Sequence, residues 1–201
     1  VQDFLKANPA TVDVIGFHGQ TVIHRPEIRL TVQLGDGSAL AKRLALPVVY
    51  DVRANDVATG GQGAPFVPVY HRALAASVPE RPLVFVNIGG VSNVTWIGSQ
   101  GHMIAFDTGP GNAPLDDWAL KHTGVARDED GKLAATGTPK ETIIDQFLNQ
   151  AFFKLPPPKS LDRDSFAALD LGALNAADGA ATLVEIIARA IAGAASWVPE
   201  A

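Results

Sequence analysis

Segment 46–65 constrains the fold of this chain more than any other, because an apolar run leads directly into charged residues and a glycine loop. Residues 46–50 (Leu-Pro-Val-Val-Tyr) are typical of a strand, and Asp51, Arg53 and Asp56 follow within six residues. Three glycines then come within four positions, where the backbone can approach a ligand closely. The pattern favours an enzyme that transfers a group to a polar substrate, with a carboxylate as general base.

Composition excludes several classes of protein. Apolar residues make up 47% of the 201 residues, which is enough for a core and argues against intrinsic disorder. The net charge is −5 and no basic cluster exceeds a dipeptide, which argues against nucleic acid or an anionic membrane as partner. The absence of cysteine excludes disulfides and thiolate metal sites, and it is compatible with a reducing cytoplasm. No run reaches the roughly 18 uninterrupted apolar residues of a membrane span.

Alternating strand and helix patterns predict an α/β chain in which mixed sheets carry crossover helices. Strand patterns occupy residues 11–16, 29–34, 48–52, 83–88, 91–97 and 103–107. Helical patterns occupy residues 39–45 with Ser38 as N-cap, 66–77, 114–122 with Asp116 and Asp117 in its first turn, 140–150 and 179–195. The prolines and charges of residues 79–82 predict a domain boundary between 1–80 and 81–201.

The polar residues after the strand at 48–52 allow two interpretations. If that strand ends near Val52, Asp51 and Arg53 project on one face, and Arg53 lowers the pKa of one carboxylate while the other acts as a base. Alternatively, these residues form a surface salt bridge, and Asp56 caps a helix. The glycine loop 60–63 likewise either lines a ligand or makes an ordinary turn. It is not a Walker loop, because no Lys-Ser/Thr follows.

Two further glycine motifs lie at strand ends. Residues 87–93 (Asn-Ile-Gly-Gly-Val-Ser-Asn) predict a hairpin tip that either holds phosphate oxygens with its N–H groups or makes a plain turn. Asp107 ends a strand before residues 108–112 (Thr-Gly-Pro-Gly-Asn), and ligands gather beyond such strand ends in open α/β sheets. Asp107 could order a hydrated Mg²⁺, or it could make an Asx-type turn at a helix entry.

The remaining conspicuous side chains receive simpler interpretations. Residues 18–21 (His-Gly-Gln-Thr) after the buried strand predict a polar turn, in which His18 either hydrogen-bonds a substrate or is structural. The five histidines lack metal-ligand spacing. Trp96, Trp118 and Trp197 fall in apolar or helical patterns and are assigned to core packing. The run 159–163 (Lys-Ser-Leu-Asp-Arg) is expected to be a solvated loop.

Taken together and in order, the motifs resemble the anhydro-N-acetylmuramic acid kinases of the actin-like sugar kinase superfamily. The matching stretches are 15–21 with 24–26, 51–65 with 67–68, 87–93, 106–112 and, more weakly, 156–160 and 180–183. The resemblance implies parts of two ribonuclease-H-like lobes, each a mixed sheet with flanking helices, and an active site in the cleft between them. Residues 1–80 would be the later part of the first, sugar-side lobe, and 81–201 the earlier part of the second, nucleotide-side lobe.

The resemblance also implies a reaction and its participants. ATP and water convert 1,6-anhydro-N-acetylmuramic acid to N-acetylmuramic acid 6-phosphate during peptidoglycan recycling, and Asp56 matches the family's general base. The implied sugar-side residues are His18, Gln20, Arg53, Gly60, Gly61, Gln62 and Gly63. The implied nucleotide-side residues are Gly89, Gly90, Asn93, Asp107, Gly109, Gly111 and Asn112, with Asp107 also facing Mg²⁺ through its waters. The implied protein is a cytoplasmic homodimer whose partners are the amino sugar and ATP, with neither nucleic acid nor membrane.

The chain departs from the family pattern in three places. The opening phosphate loop of the Ser-Gly-Thr-Ser-x-Asp-Gly type and the closing glycine-rich adenosine loop are not in the sequence, and Leu161-Asp162 stands where the family usually has Thr-Gly. We therefore expect a fragment that lacks both termini and does not phosphorylate sugar alone, whereas its full-length parent does. One alternative is a ligand-binding or regulatory module on the same scaffold that has lost catalysis. Another is a different sugar kinase or an acetate-kinase-like phosphotransferase, against which the 51–65 stretch argues.

Overall fold

A computed structural model of the protein describes residues 1–166 and 169–199. The chain forms two compact units, Val1–Gly63 and Ala64–Ala201. This division lies upstream of the 80/81 boundary that the prolines suggest. It differs because residues 64–80 include a helix that packs on the sheet of the second unit, where His71 stacks on Phe85 and its Nδ1 lies 2.9 Å from the hydroxyl of Thr95.

The first unit contains two small sheets. Strands β1 (Ile15–Phe17) and β4 (Val48–Tyr50) pair in parallel, and strands β2 (Gln20–Arg25) and β3 (Leu30–Leu34) pair antiparallel. The α-helices of this unit are α1 (Gln2–Ala7), α2 (Gly37–Leu44) and α3 (Ala54–Ala58), and a short 3-10 helix covers Pro26–Ile28. The mixture of helices with parallel and antiparallel strands confirms the α/β class.

Two local expectations for the first unit are wrong. Gln20 and Thr21, expected in a polar turn, begin strand β2, because residues 20–25 find ladder partners in β3. The N-cap of α2 is Asp36 rather than Ser38. The Asp36 carboxylate accepts a hydrogen bond from Ala39 N at 2.8 Å, which satisfies one of the unpaired donors of the first turn.

The second unit contains a three-stranded antiparallel meander in the order β5–β6–β7. Its strands are β5 (Leu83–Ile88), β6 (Val91–Ile97) and β7 (Met103–Pro110). Its α-helices are α4 (Pro68–Ala75), α5 (Asn112–Thr123), α6 (Glu141–Leu148), α7 (Ala151–Lys154) and α8 (Ala176–Ala192). Helix α5 begins two residues earlier than expected, so Asp116 and Asp117 lie outside its first turn and gain less from the helix dipole.

Helix α8 contributes buried residues to two hydrophobic clusters of the second unit. Its buried face includes Leu183, which packs with Trp118, and Ile186, which packs with Ile144 and Phe147. The stretch Ala176–Trp197 is long and apolar enough to cross a membrane, but half of its apolar window is buried inside the protein, as in a core helix.

The tryptophan assignments are confirmed. Trp96 and Trp118 are buried. Trp197 is half-buried and packs against Val94, Phe106 and Ala194.

Candidate active site

In the first unit, Asp56 lies in the first turn of α3, and the glycine loop folds back over it. Its carboxylate Oδ2 accepts a hydrogen bond from Gly63 N at 2.7 Å, and its backbone carbonyl accepts one from Gly61 N at 2.8 Å. The residue itself is exposed to solvent. One carboxylate oxygen is therefore fixed by the backbone of the loop while the group stays accessible, as a general base requires.

Arg53 connects this loop to His18, which lies between strands β1 and β2. Its Nη1 donates to the carbonyl of Gly63, and its Nε donates to His18 Nε2 at 3.1 Å. His18 Nδ1 lies 2.9 Å from the Gly19 carbonyl, which can only accept, so Nδ1 carries the proton and Nε2 is the acceptor. The contacts thus define a neutral His18 held between Arg53 and the backbone.

The structure therefore brings four of the predicted sugar-side residues and the predicted general base into one connected network. They are His18, Arg53, Asp56, Gly61 and Gly63. A Cβ added at Gly61 would overlap the Asp56 carboxylate, so a side chain there would have to displace that carboxylate. The loop is consequently built around the carboxylate and is more than an ordinary turn.

The other predicted sugar-side residues are Gln20, Gly60 and Gln62. Gln20 is exposed, and its side-chain amide donates to the Thr21 carbonyl at 3.3 Å. Gly60 is exposed with φ of 99°, and Gln62 is half-buried. The sequence interpretation of Asp51 needs correction: β4 ends at Tyr50 rather than near Val52, and Asp51 adopts a left-handed φ of 55°.

A cleft of about 200 Å³ opens in the first unit beside His18. Asp51 and Tyr50 line it from the end of β4, and Gln33 lines it from β3. The polar residues that follow β4 therefore border a concave surface, which is where small ligands bind.

In the second unit, the hairpin tip caps helix α5. The carbonyls of Gly89 and Gly90 accept hydrogen bonds from Asn112 N at 2.6 Å and Gly111 N at 3.0 Å, and Asn112 Nδ2 donates to the Ile88 carbonyl at 3.0 Å. A Cβ at Gly111 would overlap the Gly89 carbonyl oxygen. Four predicted nucleotide-side residues are thus in contact, and the first N–H groups of α5 are already engaged.

The N–H of the exposed Gly90 has no acceptor in the part of the chain that the structure describes. Asn93 lies opposite Asp107 in the register of β6 and β7, and its side-chain Oδ1 is buried without a donor among the described residues. Gly109 is buried, and a Cβ there would press on Ala190 and Phe153. The hairpin tip therefore carries one backbone donor, the Gly90 N–H, without an acceptor among the described residues, whereas Gly109 is closely packed.

Asp107 is nearly inaccessible, with 4% of its surface exposed. Its Oδ2 accepts a hydrogen bond from Leu161 N at 2.8 Å, and its backbone N donates to the Lys159 carbonyl at 3.0 Å. Among the described residues there is no group of three His, Cys, Asp or Glu side chains that could hold a metal. Mg²⁺ keeps several waters and needs open space around its carboxylates, so the surroundings of Asp107 do not fit that ion.

Lys159, expected in a solvated loop, is instead buried, with 6% of its surface exposed. Its Nζ donates to the Phe152 carbonyl at 3.2 Å and lies 4.6 Å from the ring centre of Phe152, 5.4 Å from that of Trp197 and 5.7 Å from that of Phe106. Burial lowers the pKa of this ammonium group. The three prolines before it and the Phe-Phe pair at 152–153 were the available signals for a packed loop.

Comparisons with known proteins agree with these motifs. The profile of the family described as anhydro-N-acetylmuramic acid kinase matches residues 1–199. Proteins with that name from Paramagnetospirillum magneticum and Bradyrhizobium diazoefficiens are 55% and 58% identical to it over 99% and 93% of this chain, and these matches cover 58% and 51% of the relatives. A relative of the same name from Agrobacterium fabrum is 50% identical over 94% of the chain and 52% of its own length.

The chain thus spans about half the length of the curated relatives it matches. The match nevertheless runs through all the motifs described above, from His18 to the loop that contains Lys159. This protein therefore belongs to the anhydro-N-acetylmuramic acid kinase family.

Proposed function

We propose that the chain carries catalytic and nucleotide-binding parts of an ATP-dependent kinase that opens 1,6-anhydro-N-acetylmuramic acid and phosphorylates it to N-acetylmuramic acid 6-phosphate. Membership of the family, whose named relatives share 50–58% identity with it, supports this activity. The observation that carries the proposal is the exposed carboxylate of Asp56, which accepts a hydrogen bond from the Gly63 N–H and lies where a Cβ at Gly61 would overlap it.

The proposed chemistry has two coupled displacements. Asp56 takes a proton from water as the water oxygen bonds to the anomeric carbon of the sugar. The bond between that carbon and the bridging oxygen breaks, and the released 6-oxygen attacks the γ-phosphorus of ATP. The bond from the γ-phosphorus to the bridging oxygen of ADP then breaks, so that the products are N-acetylmuramic acid 6-phosphate and ADP. Positioning and charge stabilisation supply most of the catalysis in such a transfer.

The contacts among Arg53, His18 and Gly63 orient the proposed base. Arg53 holds the carbonyl of Gly63, and the N–H of the same residue holds Asp56, so the guanidinium fixes the base through the loop. In this proposal, His18 and the nearby cleft contact the hydroxyl and acetamido groups of the sugar. We assign residues 1–63 to the sugar side on this basis.

On the nucleotide side, the hairpin tip is the proposed phosphate contact. The carbonyls of Gly89 and Gly90 are turned towards α5, which leaves the N–H of Gly90 to donate to a phosphate oxygen. We assign the unit from residue 64 onwards to ATP. The family resemblance further supports a cytoplasmic homodimer.

The test is Asp56→Asn in the complete gene product, assayed for ATP-dependent formation of the sugar phosphate. We expect a loss of roughly 10²–10⁴-fold in kcat, the usual effect of removing a general base. A variant with a near-normal rate would exclude Asp56 as the base. Calorimetry with ATP and with the anhydro sugar completes the test, because binding without turnover in the wild type would support a ligand-binding or regulatory module instead.

A further inference from the structure

We propose that Asp107 is a positioning residue: its carboxylate fastens the loop 156–161 (Pro-Pro-Pro-Lys-Ser-Leu) to strand β7 and so fixes the neighbouring hairpin tip, and it does not hold Mg²⁺. The proposal rests on the proposed function to the extent that it assigns the hairpin tip to the nucleotide.

The first support is a pair of hydrogen bonds between Asp107 and the loop. The backbone N of Asp107 donates to the Lys159 carbonyl at 3.0 Å, and the carboxylate accepts from Leu161 N at 2.8 Å. The two bonds hold consecutive parts of the loop against one residue of β7. A hydrogen bond from a backbone N–H to an ionised carboxylate is stronger than a neutral one, and it satisfies a carboxylate that is almost fully buried.

The second support is the side chain of Lys159, which anchors the same loop to the residue next to Asp107. Its ammonium group lies over the ring of Phe106 and also over Phe152 and Trp197, and it donates to the Phe152 carbonyl. Phe106 and Asp107 are adjacent in β7, so the loop contacts two consecutive residues of that strand. The loop is therefore fixed by two independent contacts.

The third support is the path from Asp107 to the hairpin tip. Asp107 lies opposite Asn93 in the register of β6 and β7, directly after an irregularity between Ser92 and Asn93. Thr108 Oγ1 donates to the Ser92 carbonyl at 3.2 Å, and β7 then leads to Gly111, whose N–H binds the Gly90 carbonyl. A displacement of Asp107 is thus transmitted along two neighbouring strands to the proposed phosphate contact.

The direct test measures amide exchange by NMR on the 201-residue chain. In Asp107→Ala the Leu161 amide loses its acceptor, and we expect its exchange to accelerate by roughly tenfold or more, as the loss of such a hydrogen bond implies. Mg²⁺ alone, added to the wild type, should leave the Leu161 amide unshifted and unprotected. A specific shift or protection of that amide by Mg²⁺, or unchanged exchange in the variant, overturns the proposal. If Asp107→Ala does not fold, Asp107→Leu takes its place, because it removes the acceptor at nearly the same size.

The kinetic test compares Asp107→Ala with Lys159→Met in the complete gene product. Because both residues anchor one loop, we expect both variants to raise the KM for ATP while the Mg²⁺ concentration for half-maximal rate stays the same at saturating ATP. An increase in that Mg²⁺ concentration in the Asp107 variant alone would identify a metal ligand and contradict the proposal. A wild type without kinase activity would refute the proposed function only, since the exchange measurement does not depend on turnover.

Discussion

Gly61 and Asp56 are so close that a methyl group on Gly61 would overlap the carboxylate of Asp56. The glycine is half-buried beside the first turn of α3, and its N–H donates to the Asp56 carbonyl at 2.8 Å. The position of the proposed base therefore depends on the absence of a side chain three residues beyond the end of its helix.

We predict that Gly61→Ala in the complete gene product lowers kcat by more than tenfold. The methyl group would displace the Asp56 carboxylate from the Gly63 N–H, and a small displacement of a catalytic group lowers the rate by about tenfold or more. The measurement is the rate of sugar phosphate formation at saturating substrates. Gly16→Ala is the matched control, since a Cβ at Gly16 has nothing within 4 Å. Equal rates for the two variants would show that the close packing of the loop on Asp56 has no role in catalysis.

A second prediction concerns the hairpin tip. Gly111→Ala should weaken ATP binding, because the added Cβ overlaps the Gly89 carbonyl oxygen and separates the tip from α5. Loss of one or two hydrogen bonds of this kind costs about 1 kcal/mol each, which corresponds to roughly a tenfold weaker affinity. Calorimetry with ATP measures the effect, and Gly193→Ala is the control because a Cβ there meets no atom within 4 Å. Unchanged affinity for ATP in Gly111→Ala would show that the contact between the hairpin tip and α5 does not contribute to nucleotide binding.

Two strands of the second unit could be predicted closely from the sequence. The third, β7, continues to Pro110 rather than ending at Asp107 as expected, because Gly109 and Pro110 pair with Ser92 and Val91 of β6. Strands 83–88 and 91–97 have the bounds that their apolar patterns indicate, because both are flanked by glycine or proline and carry β-branched side chains. Strand β2 could not be predicted, since four of its six residues are polar and four are exposed. Its structure comes from pairing with β3, which no local pattern specifies.

The candidate site likewise contains contacts that the sequence predicts and contacts that it does not. The contacts of Asp56 with Gly61 and Gly63 are local, so a carboxylate followed by a glycine loop was enough to suggest them. The burial of Lys159 depends on Phe106 and Trp197, which are distant in sequence. The local sequence of its loop therefore indicates a solvated loop. Burial of a charged residue by distant groups leaves little signal in the local sequence, because the free-energy cost of burying the charge is offset by groups elsewhere in the chain.

A third prediction concerns Lys159 and alkaline pH. Burial lowers the pKa of its ammonium group below the ordinary value of 10.5, so the unfolded chain binds more protons than the folded chain between those two pKa values. The free energy of unfolding should therefore rise with pH through that window, relative to a chain without the group. Urea unfolding of wild type and Lys159→Met at increasing alkaline pH measures the difference. Lys154→Met, at an exposed position in the last turn of α7, is the control and should parallel the wild type.

The fourth prediction concerns Asp178 in the first turn of α8, whose carboxylate ties the start of that helix to the segment before α6. Oδ1 accepts a hydrogen bond from Thr138 N at 2.7 Å, and Oδ2 accepts one from Asn175 Nδ2 at 3.0 Å and lies 3.7 Å from Lys140 Nζ. The hydrogen bond from Thr138 is the largest cause that lowers the pKa of Asp178 below its ordinary value of 3.8.

Because the folded pKa of Asp178 is lowered, its contribution to stability is present above pH 3.8 and is lost as the pH falls through the folded value. We therefore expect Asp178→Asn to unfold at lower urea concentration than the wild type near neutral pH, and we expect the difference to shrink in strong acid. Asp145→Asn, at an exposed position on α6, is the control and should leave the acid profile unchanged. A difference between Asp178→Asn and wild type that stays constant across this pH range would mean that the carboxylate charge does not stabilise the start of α8.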